Sequence, residues 1–230
     1  IAGPTPIAYY RLGESSIGSD LNPASNPNTL TVPNESGNGD TVFNFDTQDY
    51  IQYPHISLPG AFTVSTWVKT TDAADYGNLL SSSNQFGGDP SGGSSINNNW
   101  QLIRHHQATR FIVRNSSNNS LFDINTTNQS GRPDTRDGNW HHILVIWDGT
   151  TNTNGAKIFF DGVLRALGTS NGLTPRNDSS IPIRAGGSIS DKDFIGEQSN
   201  QQIWNTALTY GSASADGDVA GGEVATIYNG

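Results

Sequence analysis

The run Trp140-His141-His142-Ile143-Leu144-Val145-Ile146-Trp147-Asp148-Gly149 decides the fold of this chain. Lys157-Ile158-Phe159-Phe160-Asp161-Gly162 and Val163-Leu164-Arg165-Ala166 follow it. β-Branched and aromatic residues fit the pleated, half-buried environment of a sheet. Asp-Gly supplies the positive φ that tight hairpin turns need. Two such pairs 13 positions apart describe an antiparallel meander with no room for crossover helices. The chain reads as all-β.

The same grammar extends outward. Ala8 to Leu12 is a short first strand, and Val42 to Phe45 with Tyr50 to Tyr53 reads as a hairpin around Asp46-Thr47-Gln48-Asp49. Phe62 to Lys69 alternates, with Phe62, Val64 and Thr66 on one face and Thr63, Ser65, Trp67 and Lys69 on the other. Further strands are expected at Leu79-Leu80, Trp100 to Arg104, Arg110 to Arg114, Leu121 to Ile124, Ile181 to Arg184 and Ile203-Trp204. Residues 18–40 read as a surface excursion, and Gly87 to Gly93 as the most flexible stretch. Val224, Ile227 and Tyr228 fit helical spacing, so Val219 to Asn229 is predicted to be one short helix. No repeat or linker is visible, and residues 1–230 read as a single domain.

Composition narrows function. The chain has 230 residues, 14% of them charged, and a formal net charge of −9. A chain of this length buries an ample core without staples. No basic stripe exists to displace counterions from phosphate, so nucleic acid is excluded as a partner. With no cysteine, disulfides and thiolate metal sites are impossible. Methionine is also absent and the chain begins at Ile1, which reads as a processed or excised form. No apolar run approaches a membrane span, so the expectation is a soluble protein without membrane insertion.

The histidines invite an acid–base or metal reading. On a strand, His141 and His142 point to opposite faces and cannot chelate one ion, and the same argument is applied to His105-His106. No Gly-x-Ser-x-Gly elbow supports Ser-His-Asp catalysis.

Five blocks in order resemble the laminin G-like and pentraxin-like branch of the concanavalin A-type lectin/glucanase jelly rolls. They are Tyr9 to Glu14, Phe45 to Ile51, Phe62 to Val68, Trp140 to Gly149 with Phe160-Asp161-Gly162, and Phe194 to Leu208 closing at Glu223 to Tyr228. Modules with the Tyr-Tyr-Arg-Leu-Gly-Glu opening are also similar to segments of bacteriophage structural proteins. The resemblance implies a two-sheet antiparallel jelly-roll sandwich, and adhesion or carbohydrate binding rather than catalysis. Glucanases of this superfamily carry Glu-x-Asp-x-x-Glu on one strand. The four glutamates here, Glu14, Glu35, Glu197 and Glu223, are not so spaced.

The resemblance also implies calcium at rim loops, where oxygen ligands gather. A laminin-type site falls at Asn98 or Asn99 with Asn177 and Asp178, and a pentraxin-type site at Asp75 and Asp191. Asn replaces a common Asp at 98 and 99, which weakens such a site. For a sugar, loop-side aromatics are the candidates: Tyr76, Phe86, Trp100 and Tyr210, whereas Trp67, Trp140, Trp147 and Trp204 read as core.

The expected function is a non-catalytic lectin-like module, extracellular or on a virion surface, whose partner is a glycan or another surface ligand. The alternatives are a structural decoration subunit packed on other virion or surface-assembly subunits and, third, a glycoside hydrolase.

Overall fold

A computed structural model describes residues 4–10, 42–46, 49–74, 76–83, 98–126, 134–186 and 193–229. The strands among them are β1 (Ala8–Tyr10), β2 (Phe43–Phe45), β3 (Tyr50–Tyr53), β4 (Phe62–Lys69), β5 (Tyr76–Ser83), β6 (Asn98–His105) and β7 (Ala108–Arg114). They continue with β8 (Ser120–Asn125), β9 (His141–Trp147), β10 (Ala156–Phe160), β11 (Val163–Gly168), β12 (Ile183–Gly186) and β13 (Gly196–Trp204), and helix α1 (Gly222–Asn229) closes the chain. The surface excursion at 18–40 and the glycine-rich stretch at 87–93 lie outside the described residues.

Two antiparallel sheets face each other. One runs β1-β13-β4-β9-β10-β11, with β2 also pairing β13, and the other runs β3-β12-β5-β6-β7-β8. This is the expected jelly-roll sandwich. Alternate residues of both sheets meet inside, among them Phe62, Val64, Trp147, Phe111, Phe122, Leu102 and Ile183. Phe62 lies edge-on to both Trp147 and Phe111, which ties the sheets at their centre.

The meander is present as β9-β10-β11, but its two Asp-Gly turns differ. Asp161-Gly162 joins Phe160 to Val163 as a two-residue turn with φ of 49° and 73°. At Asp148-Gly149 the carboxylate instead accepts from the Thr150 amide and hydroxyl. That side-chain turn opens an eight-residue connection, closed by the Asp148 amide donating to Gly155 O.

Three expectations need correction. β2 and β3 are not a hairpin: β2 pairs β13 in one sheet and β3 pairs β12 in the other. Asp49 turns this corner, its carboxylate accepting from the Asp46 amide at 2.8 Å. Second, β9 is buried on both faces rather than half-buried. Its outward Leu144 and Ile146 join Phe159, Leu164, Trp204, Leu208, Val224 and Ile227 in a second core beneath α1. Third, Trp67 and Trp140 are half-buried, not core. Trp67 stacks on Tyr228 of α1 at 5.9 Å, and Lys69 lies over Trp140 at 5.8 Å.

Candidate binding site

Antiparallel register sends alternate strand ends to the same edge of the sandwich. Tyr76, His105, Ala108, His141 and the 161–162 turn therefore gather at one end. Asn99, Ser82, Ile183 and the loop containing Asn177 and Asp178 gather at the other.

At the first end β5 begins with Tyr76, paired to the last residue of β6, His105. Their rings stack at 4.8 Å, and the Tyr76 hydroxyl is 3.2 Å from His105 Nε2. His106 has left the strand with φ of 55°, which rotates it back toward its neighbour. The two imidazole centroids are 4.6 Å apart, and His106 is 5.8 Å from the Tyr76 ring. His105 and His106 therefore do not face opposite ways, because strand geometry ends at 105. Tyr76 is half-buried and His106 exposed, so the three rings form a small π surface at the edge of solvent.

A buried cation anchors this surface. Arg104 is 0% exposed and donates to Asp72 Oδ2 at 2.7 Å and to the carbonyls of Ala74 and His106. Burial of a guanidinium is tolerable only when it is paired and hydrogen-bonded. Asp72 and the fan of carbonyls do this, and they fix the β4–β5 loop against the β6–β7 turn. A Cβ at residue 77 would lie 3.3 Å from Arg104 Nε, and glycine occupies that position.

Loop 134–140 braces both segments. The Thr135 amide and hydroxyl donate to Gln107 O, and the Gly138 amide donates to Thr70 O at 3.1 Å. The loop is tied back to the sheet by His141, which is 8% exposed. Its Nδ1 is 2.7 Å from Asp161 Oδ2 and its Nε2 is 3.0 Å from Asp137 Oδ1. Burial disfavours the imidazolium, but hydrogen bonds and charge from Asp161 and Asp137 outweigh it and raise the pKa.

His142, on the opposite face, behaves in the reverse way. It is fully buried against Trp67 and Tyr228, with Ser65 Oγ 2.7 Å from its Nε2 and no hydrogen-bond partner at Nδ1. Desolvation lowers its pKa to about 4, only partly countered by the Asp161 charge. It is neutral at pH 7.

At the other end the laminin-type residues do come together, but as a protein-to-protein clasp. Asn99 is 2% exposed, with Oδ1 accepting from the Asp178 amide and Nδ2 donating to Ser82 Oγ and Asp178 O. Asn177 bonds His55 Nε2 and Ser57 Oγ. The Asp178 carboxylate accepts from Ser180 and from Arg176, which hold its pKa near 2. Asn99 Oδ1 and both Asp178 carboxylate oxygens face donors or a guanidinium, so as placed they do not fit a calcium ion. Among the described residues no group of three or more His, Asp or Glu is arranged to hold a metal.

Of the aromatic candidates, Tyr76 is in the ring surface. Trp100 is not available: it is 3% exposed, because pairing with Val113 turns it into the main core. Tyr210 has its ring against Phe159 and beneath the Lys157 ammonium at 4.6 Å, serving the second core. Phe86, Asp75 and Asp191 lie outside the described residues. Sequence reasoning missed His105, His106 and His141. A signal for the pair was the two-residue spacer before Ala108, which marks a turn rather than continued strand.

A laminin G-type model of the concanavalin A-like lectin/glucanases superfamily matches residues 45–212. The rat (Rattus norvegicus) sushi, von Willebrand factor type A, EGF and pentraxin domain-containing protein 1 is 27% identical over 188 residues, covering 73% of this chain and 4% of the relative. The chain thus spans a small fraction of that protein. Among solved structures, the binding domain of botulinum neurotoxin serotype G superposes with TM-score 0.61 at 16% identity, over 97% of this chain and 50% of that one. Domain 4 of AbnA, an extracellular arabinanase of Geobacillus stearothermophilus, in complex with arabinotriose, gives 0.54 at 17%, covering 90% and 95%. The CBM40 of a Ruminococcus gnavus sialidase bound to α2,3-sialyllactose gives 0.51 at 16%, covering 73% and 91%. At these identities the likeness is one of fold.

Proposed function

Because this chain belongs to the concanavalin A-like lectin/glucanase superfamily, we propose that it is a non-catalytic glycan-binding module acting at an extracellular or virion surface. The observation that carries the reading is the solvent-edge stack of Tyr76, His105 and His106. A pyranose ring has one face of C–H bonds, which packs on a π surface, and a rim of hydroxyls, which needs polar neighbours. Asp72, whose carboxylate stays partly exposed while it pairs with Arg104, and the exposed His106 are the polar neighbours of the stack. Arg104 and loop 134–140 fix the rings before a ligand arrives, and preorganisation of this kind reduces the entropy lost on binding. Similarity to sugar-bound domains supports the glycan class, while fold alone does not choose the sugar.

The test is a glycan array probed with the wild-type chain, Tyr76→Ala and His106→Ala, each with and without chelator. Wild-type binding to a defined set of sugars is expected, with Tyr76→Ala weakened by about two- to tenfold, the usual worth of a stacked aromatic. Silence of the wild type across the array contradicts the glycan reading and favours a structural subunit. Binding lost only on chelation moves the site to a metal.

A further inference from the structure

We propose that His141 is a positioning residue whose charged form holds the Tyr76 end in its binding arrangement, making ligand affinity fall as the solution becomes alkaline. The inference rests on the glycan reading for its ligand and on the geometry of loop 134–140 for its mechanism. Both imidazole nitrogens of His141 face carboxylate oxygens, Nδ1 at 2.7 Å from Asp161 and Nε2 at 3.0 Å from Asp137. A neutral imidazole has one N–H and can satisfy one of them. The arrangement as it stands requires the imidazolium.

The groups around it fix which contact yields. Asp161 is immobilised from behind: its Oδ1 accepts from the His142 amide at 2.8 Å, and its own amide donates to His142 O at 2.9 Å. Asp137 is exposed and belongs to the loop, where it also accepts from Asn139. Beyond these carboxylates, the His141 ring packs on Phe160 at 4.6 Å. Its β4 partner is Val68, beside Lys69, which pairs with Glu197 at 3.4 Å. Arg136 and Asp134 of the same loop pair with each other at 3.3 Å. Loss of the proton thus leaves a lone pair on Nε2 opposed to the Asp137 carboxylate. The loop is repelled there, while Nδ1–H stays with Asp161.

Release of the loop reaches the ring surface directly. Residues 134–140 donate to Gln107 O, next to His106, and to Thr70 O, two residues before the Asp72 that clamps Arg104. Freeing these braces loosens both flanks of the stack. His142 takes no part, since it points to the other sheet face and is neutral at pH 7.

The test has two arms. First, imidazole ¹⁵N shifts of the full chain are followed across neutral to alkaline pH without ligand. His141 is expected to show two protonated nitrogens at pH 7, and the amides of Thr135 and Gly138 are expected to titrate with its midpoint. A neutral His141 at pH 7, or loop amides that ignore its titration, overturns the proposal. Second, the glycan array is read on both sides of that midpoint. Wild-type signal is expected to fall about tenfold on the alkaline side. His141→Gln, which never carries the charge, is expected to bind weakly and equally at both pH values. Coupled titration with pH-independent wild-type binding overturns the positioning role. An array silent at both pH values overturns the glycan reading and the ligand half of this proposal, while the clamp still stands or falls on the first arm.

Discussion

Acid should unfold this protein through His142, and the size of the effect follows from the structure. In the unfolded chain the imidazole titrates near 6.5, whereas burial against Trp67 and Tyr228 lowers it to about 4 in the fold. A depressed histidine stabilises the fold fully above the unfolded pKa. That stability is lost as pH falls from about 6.5 to about 4, because only the unfolded chain takes up the proton in this window. At about 1.4 kcal/mol per unit the full loss is about 3 kcal/mol, of which about 2 kcal/mol has gone by pH 5. Against a typical total of about 5–15 kcal/mol this is a large share. Urea unfolding followed by tryptophan fluorescence at pH 7, 6, 5 and 4 measures it, with His142→Gln as the control. Glutamine can still meet the Ser65 hydroxyl but cannot be protonated, and the other histidines cancel in the difference. The wild type should lose about 3 kcal/mol more than the variant between pH 7 and 4. Parallel curves would mean that His142 is accessible to protons in the fold, and would refute the two-sided burial of β9.

Other consequences are equally direct. Gly186 has φ of 85°, and an added Cβ would lie 2.1 Å from Phe45 Cδ1. Gly186→Ala should therefore cost about 3 kcal/mol or more, or abolish soluble expression, and a melting point within a few degrees of wild type would rule out this corner packing. Leu144→Ala removes a fully buried side chain from the second core, with an expected loss of about 2–5 kcal/mol by chemical denaturation. A loss below about 0.5 kcal/mol would show that α1 does not cover that face. Asn99→Ala strips three hydrogen bonds from the clasp on Asp178 and should cost about 1–3 kcal/mol. Millimolar calcium should leave the melting temperature of the wild type unchanged, and a calcium-dependent rise would show that the clasp opens to ligate.

What was legible in the sequence was local. Alternation in Phe62–Lys69, the Asp161-Gly162 turn and the apolar stripe of the last helix each depend on neighbours a few residues away. The first two appear in the structure as read, and the helix keeps its stripe but starts at Gly222 rather than Val219, which bridges to Val163 instead. Pairing partners are a different kind of information. Asp46 to Asp49 looks like a hairpin loop, yet the strands flanking it bond to β13 and β12, 130 or more residues downstream. Trp100 reads as a candidate sugar platform because a polar stretch precedes it, and only its register with Val113 shows that it points inward. Covering of β9 by α1 likewise depends on a distant element. It explains why that strand reads as one continuous apolar run instead of an alternating one.

The site divides along the same line. Family resemblance brought Asn99, Asn177 and Asp178 to one rim, and the structure does cluster them. Their role depends on Arg176, His55, Ser57 and Ser82, whose arrival there is a matter of tertiary contacts. Tyr76 was identified without its partners. The two histidines beside it were set aside on strand geometry that stops one residue too early for His106.

If ligand meets the sandwich at the Tyr76 end, amide NMR mapping with the strongest sugar from the array will show it. Shifts should concentrate at residues 70–74, 76–77 and 104–107, with loop 134–140 following. Shifts centred on His55, Asn99 and residues 176–180 instead would contradict it.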